Sequence, residues 1–117
     1  MIEFYEYPKC STCRKAKAEL NDLGLAFEDK DITKETPSAD LLLTWMKASD
    51  LPIKSYFNTS GIKYRELGLK DKLPSLTMEE AAGILSTDGM LIKRPILLED
   101  GKVRQVGYRT AYAELGL

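Results

Sequence analysis

The junction between a predicted strand and a predicted helix, occupied by the segment Cys10-Ser11-Thr12-Cys13, constrains the fold of this chain most. Residues 2–7 alternate and are rich in aromatic side chains, which predicts a short strand that Pro8 and Lys9 end. Residues 14–23 are good helix formers whose apolar members recur at the spacing of one buried helical face. The cysteines are therefore expected at or near the N-terminus of a helix that follows a strand.

A helix N-terminus favours the thiolate, which is the reactive form of cysteine, because unpaired backbone N–H groups and the helix dipole stabilise an anion there. Lys9 adds positive charge near Cys10, and the hydroxyls of Ser11 and Thr12 can donate hydrogen bonds to the sulfur. A separation of three residues lets Cys13 come within disulfide distance. We predict that Cys10 attacks and Cys13 resolves, with Lys9, Ser11 and Thr12 at the substrate site.

Two cysteines can also belong to a metal site or pack inertly in a core, and both alternatives stay open at this point. A structural zinc site needs four ligands, whereas this chain has two cysteines and no histidine. We therefore expect no metal site. Free cysteine is often buried and inert, but the strand, turn and helix context favours a reactive pair. The lack of histidine also excludes Ser-His-Asp and Cys-His nucleophilic catalysis.

The composition indicates one small domain, because 117 residues with 44% apolar side chains can form a single core. The 17 basic and 18 acidic residues give a net charge of −1, without the positive surface that binds nucleic acid nonspecifically. No apolar run approaches the roughly 18 residues of a membrane span, and the first residues lack the basic segment of a signal peptide. We expect a cytoplasmic monomer without nucleic-acid or membrane contacts, in which any disulfide is transient.

The remaining elements alternate between strand and helix. Residues 26–32 indicate a second strand, and the hairpin signals lie at 95–99 and 102–106 around Asp100-Gly101. Helices are predicted from an N-cap at Ser38, over 63–69, and from Thr77 to about 86, with a short closing helix over 110–117. This order predicts a thioredoxin-like α/β fold: a single domain over 1–117 with a mixed four-stranded sheet and a helical insertion at about 36–90.

Four segments that are spread along most of the chain are distinctive, namely residues 7–16, residues 57–67, residues 93–96 and residues 105–108. They make the chain resemble, over essentially its full length, the ArsC/Spx family of thioredoxin-fold proteins, which includes glutaredoxin-type arsenate reductases and Spx transcriptional regulators. The Cys-x-x-Cys pair makes it resemble the Spx-like and uncharacterised branch more than true arsenate reductases.

This resemblance implies roles for residues outside the cysteine segment. Pro95 would be a cis-proline placed against the cysteine loop, where it is expected to contribute to substrate binding. Arg94 would bind an anion and assist the catalytic sulfur. Arsenate reductases of this family usually have serine in place of Cys13, and they use two further arginines where this chain has Asn58 and Val106. Asn58 is therefore expected at the substrate site. The four tyrosines at positions 5, 7, 108 and 112 could line a site, but aromatic side chains in strands and helices are more often packed, and they are interpreted as packed.

The resulting prediction is a thiol-disulfide oxidoreductase of the ArsC family that acts on a thiol-containing protein or a small-molecule oxidant. No bound cofactor is expected, and the electron donor would be glutathione, glutaredoxin or thioredoxin. One alternative is an Spx-like redox-sensing regulator that binds the C-terminal domain of the RNA polymerase α-subunit, although Pro52 stands where Spx proteins use a small glycine. The other is a glutaredoxin- and glutathione-dependent arsenate reductase.

Overall fold

A mixed four-stranded sheet is the frame on which the cysteine segment sits in the computed structural model, which describes residues 1–117. Its strands are β1 (Ile2–Glu6), β2 (Phe27–Asp31), β3 (Ile96–Glu99) and β4 (Lys102–Val106), in the order β2-β1-β3-β4. Strand β1 pairs parallel with β2 and antiparallel with β3, and β3 pairs antiparallel with β4. The sequence-based prediction of a mixed, thioredoxin-like sheet is confirmed.

The chain divides into two compact units, the first formed by residues 1–31 and 94–117 and the second by residues 32–93. The first unit contains the sheet, helix α1 (Ser11–Asp22) and a 3₁₀ helix at Tyr112–Leu115. The second contains α2 (Ala39–Ala48), α3 (Ile62–Glu66), α4 (Leu69–Lys72), α5 (Met78–Leu85) and three 3₁₀ turns. The predicted helical insertion falls within this second unit. No helix has both the length and the apolar character of a membrane span.

The core of the first unit forms where α1 lies against the sheet. Ala16 and Leu20 of α1 are fully buried with Phe4 of β1, Leu97 of β3 and Tyr112. Burying a side chain as large as Leu or Phe contributes about 1.5–3 kcal/mol, so this cluster holds the helix in place. Because Cys13 precedes Ala16 by three residues, the same packing turns Cys13 inward.

The second unit is built around α2 and α5, whose buried faces are apolar. Thr77, where the helix was predicted to open, is the N-cap of α5 and forms a complete capping box with Glu80. The Thr77 side chain accepts a hydrogen bond from the backbone of Glu80 at 3.1 Å, and the Thr77 N–H donates to the Glu80 carboxylate at 2.9 Å. Two donors that a helix start leaves unpaired are thereby satisfied.

Two predicted helices are shorter or more broken than expected. The segment 63–69 is split because Gly68 adopts a left-handed conformation, with φ of 63°, between α3 and α4. The closing helix predicted over 110–117 was wrong in extent, since only Tyr112–Leu115 forms a 3₁₀ helix. The side-chain amide of Gln105 accepts a hydrogen bond from the N–H of Thr110 and donates one to its carbonyl. The carbonyl of Thr110 is therefore paired with a side chain instead of with the N–H of a following helical turn. Gly116, with φ of 85°, ends the turn.

Candidate active site

Cys10 lies at the start of α1 and is its N-cap residue. Its backbone is extended, its N–H donates to the carbonyl of Tyr7 at 2.9 Å, and its sulfur accepts a hydrogen bond from the N–H of Cys13 at 3.4 Å. The prediction that Cys10 sits at a helix N-terminus is confirmed. The helix begins at Ser11, three residues before the predicted start at Arg14, because Cys10 itself provides the cap.

The electrostatic environment of Cys10 favours its ionised form. Partial burial raises the pKa of the thiol, but hydrogen bonds from the backbone and thiol of Cys13 and the guanidinium of Arg94 lower it more. The net pKa of Cys10 is therefore below its ordinary value. A lowered pKa increases the fraction of thiolate, which is the nucleophilic form of cysteine.

Cys13 has the opposite character. Its side chain is completely buried, and burial together with the neighbouring Cys10 raises the pKa of the Cys13 thiol to about 12. Both cysteines are free thiols in this structure. The pair is thus asymmetric, because the pKa of Cys10 is lowered and the pKa of the buried Cys13 is raised.

Arg94 and Pro95 are in the same unit as the two cysteines. The peptide bond between them is cis, as the family resemblance implied, and Pro95 is buried with its carbonyl accepting from the N–H of Gly107 at 2.8 Å. The guanidinium carbon of Arg94 stands 5.2 Å from the ring centroid of Tyr7. Two of its nitrogens, Nε and Nη1, are buried without a hydrogen-bond partner. These N–H groups can donate to an acceptor that enters beside Cys10.

The other predicted substrate-site residues occupy different surroundings. Lys9, Ser11 and Thr12 are exposed in the loop and first turn that carry Cys10. Asn58 belongs to the second unit, where its N–H donates to the carbonyl of Leu91 at 2.8 Å and its side-chain amide to that of Met90 at 3.4 Å. The substrate-binding roles of these four residues stay predictions.

A second set of ionisable groups lies on the side of the sheet where β1 ends. Lys17 of α1 bridges Glu6 of β1 at 3.1 Å and Asp29 of β2 at 2.5 Å. With Pro8, Arg14 and Asp31, these residues line a groove of about 410 Å³. Glu6 is the only charged residue that is buried. No local pattern in the sequence indicates this cluster, because its members come from three elements and meet only through parallel pairing of β1 with β2.

Glu6 and Asp29 lie in the same cluster, but their pKa values are shifted in opposite directions. Burial and the hydrogen bond with Asp29 raise the pKa of Glu6 to about 7, although Lys17 acts in the opposite direction. Burial also raises the pKa of Asp29, but its hydrogen bonds with Glu6 and Lys17 outweigh this and leave it below its ordinary value. Glu6 is therefore the carboxyl that holds a proton near neutral pH. No group of three or more potential metal ligands is present.

The fold and the site define a class of protein, namely a thioredoxin-like sheet that presents an N-capping cysteine within a Cys-x-x-Cys segment. The model of the ArsC family matches residues 5–114, and the chain belongs to this family.

Proteins with three different names are similar to this chain over most of its length. It is 46% identical to the uncharacterized protein YusI of Bacillus subtilis, over 92% of this chain and 91% of that protein. It is 28% identical to the global transcriptional regulator Spx of Staphylococcus epidermidis, over 92% of this chain and 80% of that protein. The crystal structure of "a possible arsenate reductase" from Streptococcus mutans shares 57% identity and a TM-score of 0.97, covering 100% of this chain and 98% of the other.

Proposed function

We propose that this protein is a thiol-disulfide oxidoreductase that cycles Cys10 and Cys13 between the dithiol and the disulfide. The observation that carries the proposal is the asymmetry of the pair, with Cys10 favoured as thiolate at the helix N-terminus and Cys13 buried three residues later. Disulfide exchange requires an attacking thiolate and a second thiol that resolves the intermediate. These two environments suit those two roles.

In the proposed reaction, the Cys10 thiolate attacks one sulfur of a substrate disulfide. A Cys10–substrate disulfide forms, the substrate S–S bond breaks, and the first substrate thiolate leaves with the bonding electrons. Cys13 then loses its proton and attacks Cys10, which releases the second substrate thiolate and leaves a Cys10–Cys13 disulfide. The proton that Cys13 loses and the proton that Cys10 gave to the solvent when it ionised balance the two product thiols. Glutathione, glutaredoxin or thioredoxin would return the pair to the dithiol.

Arg94 supports this assignment because its charge favours the Cys10 thiolate and its buried Nε and Nη1 groups are free to donate. An acceptor on the substrate, such as a peptide carbonyl or an oxyanion, would pair with them. A buried N–H donor without a partner is costly, so a substrate that supplies an acceptor gains binding free energy. The proposed substrate class is therefore a disulfide or oxidised thiol with a hydrogen-bond acceptor next to the reacting sulfur.

The test is the trapping of the intermediate. We expect Cys13→Ser, treated with oxidised glutathione, to accumulate one mixed disulfide at Cys10, as read by intact-protein mass spectrometry and peptide mapping. Cys10→Ser is the matched control and is expected to accumulate little adduct, because the remaining Cys13 thiol is buried with a raised pKa. Adducts at Cys13 in the control and none at Cys10 in the first variant would reverse the roles.

A second candidate is redox-dependent binding of the C-terminal domain of the RNA polymerase α-subunit. The similarity to Spx over most of the chain favours it. Pro52, which is exposed and precedes the 3₁₀ turn Ile53–Tyr56, argues against docking of the Spx kind, since proline has no N–H to donate. The test is retention of that purified polymerase domain on the immobilised protein in its reduced and oxidised states. No retention in either state would remove this candidate.

Arsenate reduction is the third candidate, favoured by the description of the Streptococcus mutans structure. On the family resemblance, an arsenate site would have Asn58 and Val106 in place of two arginines, and so would keep one of its three positive side chains. We expect no arsenate-dependent oxidation of glutathione in the presence of glutaredoxin. Turnover above the background of a Cys10→Ser control would establish the activity.

A further inference from the structure

Tyr112 carries a polar group that the folded chain leaves without a partner. The residue is fully buried, and its hydroxyl oxygen is buried without any hydrogen bond. A tyrosine hydroxyl in a core usually finds a partner. An exception of this kind needs a reason, and one such reason is a role in a state other than the resting one.

The position of the Tyr112 ring is fixed from several directions. The carboxylate of Glu19, on α1, accepts hydrogen bonds from the backbone N–H of Tyr112 at 2.6 Å and of Ala113 at 3.1 Å. It also accepts from the hydroxyl of Tyr108 at 2.6 Å, and the rings of Tyr108 and Tyr112 meet edge to face with centroids 4.9 Å apart. Tyr112 is thus held against α1 by its backbone and its ring, and its hydroxyl contributes nothing to this anchoring.

The buried face of α1 on which Tyr112 packs is the one that carries Cys13. Tyr112 belongs to the same core cluster as Ala16 and Leu20, and Cys13, Ala16 and Leu20 are the buried residues of α1. In a helix, side chains three residues apart are neighbours on one face. Burial raises the pKa of the Tyr112 hydroxyl, and negative charge on Tyr108, on Cys13 and on Glu19 raises it further. The packing of Tyr112 on the Ala16 and Leu20 face of α1, the face that also carries Cys13, is the geometric basis of the inference.

We propose that the Tyr112 hydroxyl assists the resolving step by donating a hydrogen bond to the sulfur of Cys13 when that thiol ionises. The inference deepens the proposed function and rests on it. A neutral thiol is a weak acceptor, which agrees with an unpaired hydroxyl in the dithiol state. A thiolate is a strong acceptor, and without a donor its formation in this buried position would be severely disfavoured.

The chemistry assigns no proton transfer to the tyrosine. After Cys10 has formed a mixed disulfide, Cys13 loses its proton and its thiolate attacks the Cys10 sulfur. The Cys10–Cys13 bond forms, the bond from Cys10 to the substrate sulfur breaks, and the departing thiolate takes up the proton. Tyr112 keeps its own proton throughout and stabilises the negative charge on Cys13 before the attack.

The experiment separates the two steps with an aromatic disulfide, 5,5′-dithiobis(2-nitrobenzoate), at a concentration equal to that of the protein. The first coloured thiolate is released when Cys10 attacks, and the second when Cys13 resolves. Tyr112→Phe keeps the ring and removes only the hydroxyl. We expect its first phase to match the wild type and its second phase to be slower by about tenfold, as the loss of a hydrogen bond to a charged group implies.

Tyr108→Phe is the matched control, because it also loses one hydroxyl from the same pair of rings. It is expected to reduce stability through the lost bond to Glu19 and to leave the second phase unchanged. A purely structural role for Tyr112 would instead leave its second phase equal to that of the wild type, and this result would overturn the inference while the proposed function stands. A wild type without a second phase would overturn both.

A second measurement does not depend on turnover. In the Cys10→Ser background, alkylation of Cys13 at a fixed alkaline pH is expected to be slower by about tenfold when Tyr112 is replaced by Phe. Thermal unfolding of the same proteins shows whether they are folded, and Tyr112→Phe is expected to be at least as stable as its parent because it removes an unpaired buried hydroxyl. Equal alkylation rates in two folded proteins would also overturn the inference.

Discussion

Replacing Glu6 by Gln should change how the stability of this protein depends on pH. Glu6 has a side chain that is 5% exposed, and it faces Lys17 of α1 and Asp29 of β2. Gln has nearly the same size and stays neutral at every pH. The variant therefore imitates the protonated form of Glu6 and removes the titration.

The expected magnitude follows from the pKa of Glu6, which is raised from 4.5 to about 7. A raised carboxyl pKa gives stability that is fully present below the unfolded value and is lost as the pH rises through the folded value. One pKa unit corresponds to about 1.4 kcal/mol, so this group should cost the folded state up to roughly 3 kcal/mol between about pH 5 and about pH 8. Asp29, whose pKa is lowered, stays ionised in both states over this window and adds no slope.

The assay is urea unfolding, followed by far-ultraviolet circular dichroism at a series of pH values. We expect the wild type and Glu6→Gln to have similar unfolding free energies near pH 5 and to diverge through neutrality, with the variant more stable by up to about 3 kcal/mol near pH 8. Asp29→Asn should flatten the slope in part, since Asp29 raises the pKa of Glu6. If the difference in unfolding free energy between the wild type and Glu6→Gln does not vary with pH, the pKa of Glu6 is not raised in the folded protein.

Three further predictions concern the site and the helix that carries it. Arg94→Met should raise the pKa of Cys10 and slow its alkylation by iodoacetamide at neutral pH, because a hydrogen bond and a positive charge are lost; an unchanged pH profile would contradict this. Glu19→Gln should lower the free energy of unfolding by about 1 kcal/mol, since three hydrogen bonds lose a charged acceptor at a partly exposed position. Leu20→Ala should cost about 2–5 kcal/mol in the same urea assay, whereas Leu23→Ala, at an exposed position, should cost less than about 1 kcal/mol.

The local signals in the sequence predicted the frame of the fold well. The helix start predicted at Thr77 was confirmed because its capping box pairs Thr77 with Glu80, which lies within the same helical turn. The hairpin around Asp100-Gly101 and the placement of Cys10 at a helix start likewise depend on neighbouring residues. Predictions failed where a side chain from another element binds the backbone, as Gln105 does at Thr110, so that no regular helix begins there.

The candidate site could be predicted only in part for a similar reason. The cysteines are recognised by their spacing, but the raised pKa of Glu6 depends on the meeting of β1, α1 and β2. Tyr112 lies at the opposite end of the chain from Cys13, and its aromatic character alone indicates packing. The sequence could not predict that its hydroxyl lacks a partner, because this depends on the packing of the core cluster and on the hydrogen bonds of Glu19.

The proposed function requires that Cys10 is an activated nucleophile. We would measure the ultraviolet absorbance of the thiolate against pH in the reduced Cys13→Ser protein. In that variant Cys10 is the only thiol, so a single transition reports its pKa. We expect a midpoint clearly below the value of about 8.5 for a free cysteine. A midpoint at or above that value would show that burial outweighs the helix terminus and Arg94, and it would contradict the proposed function.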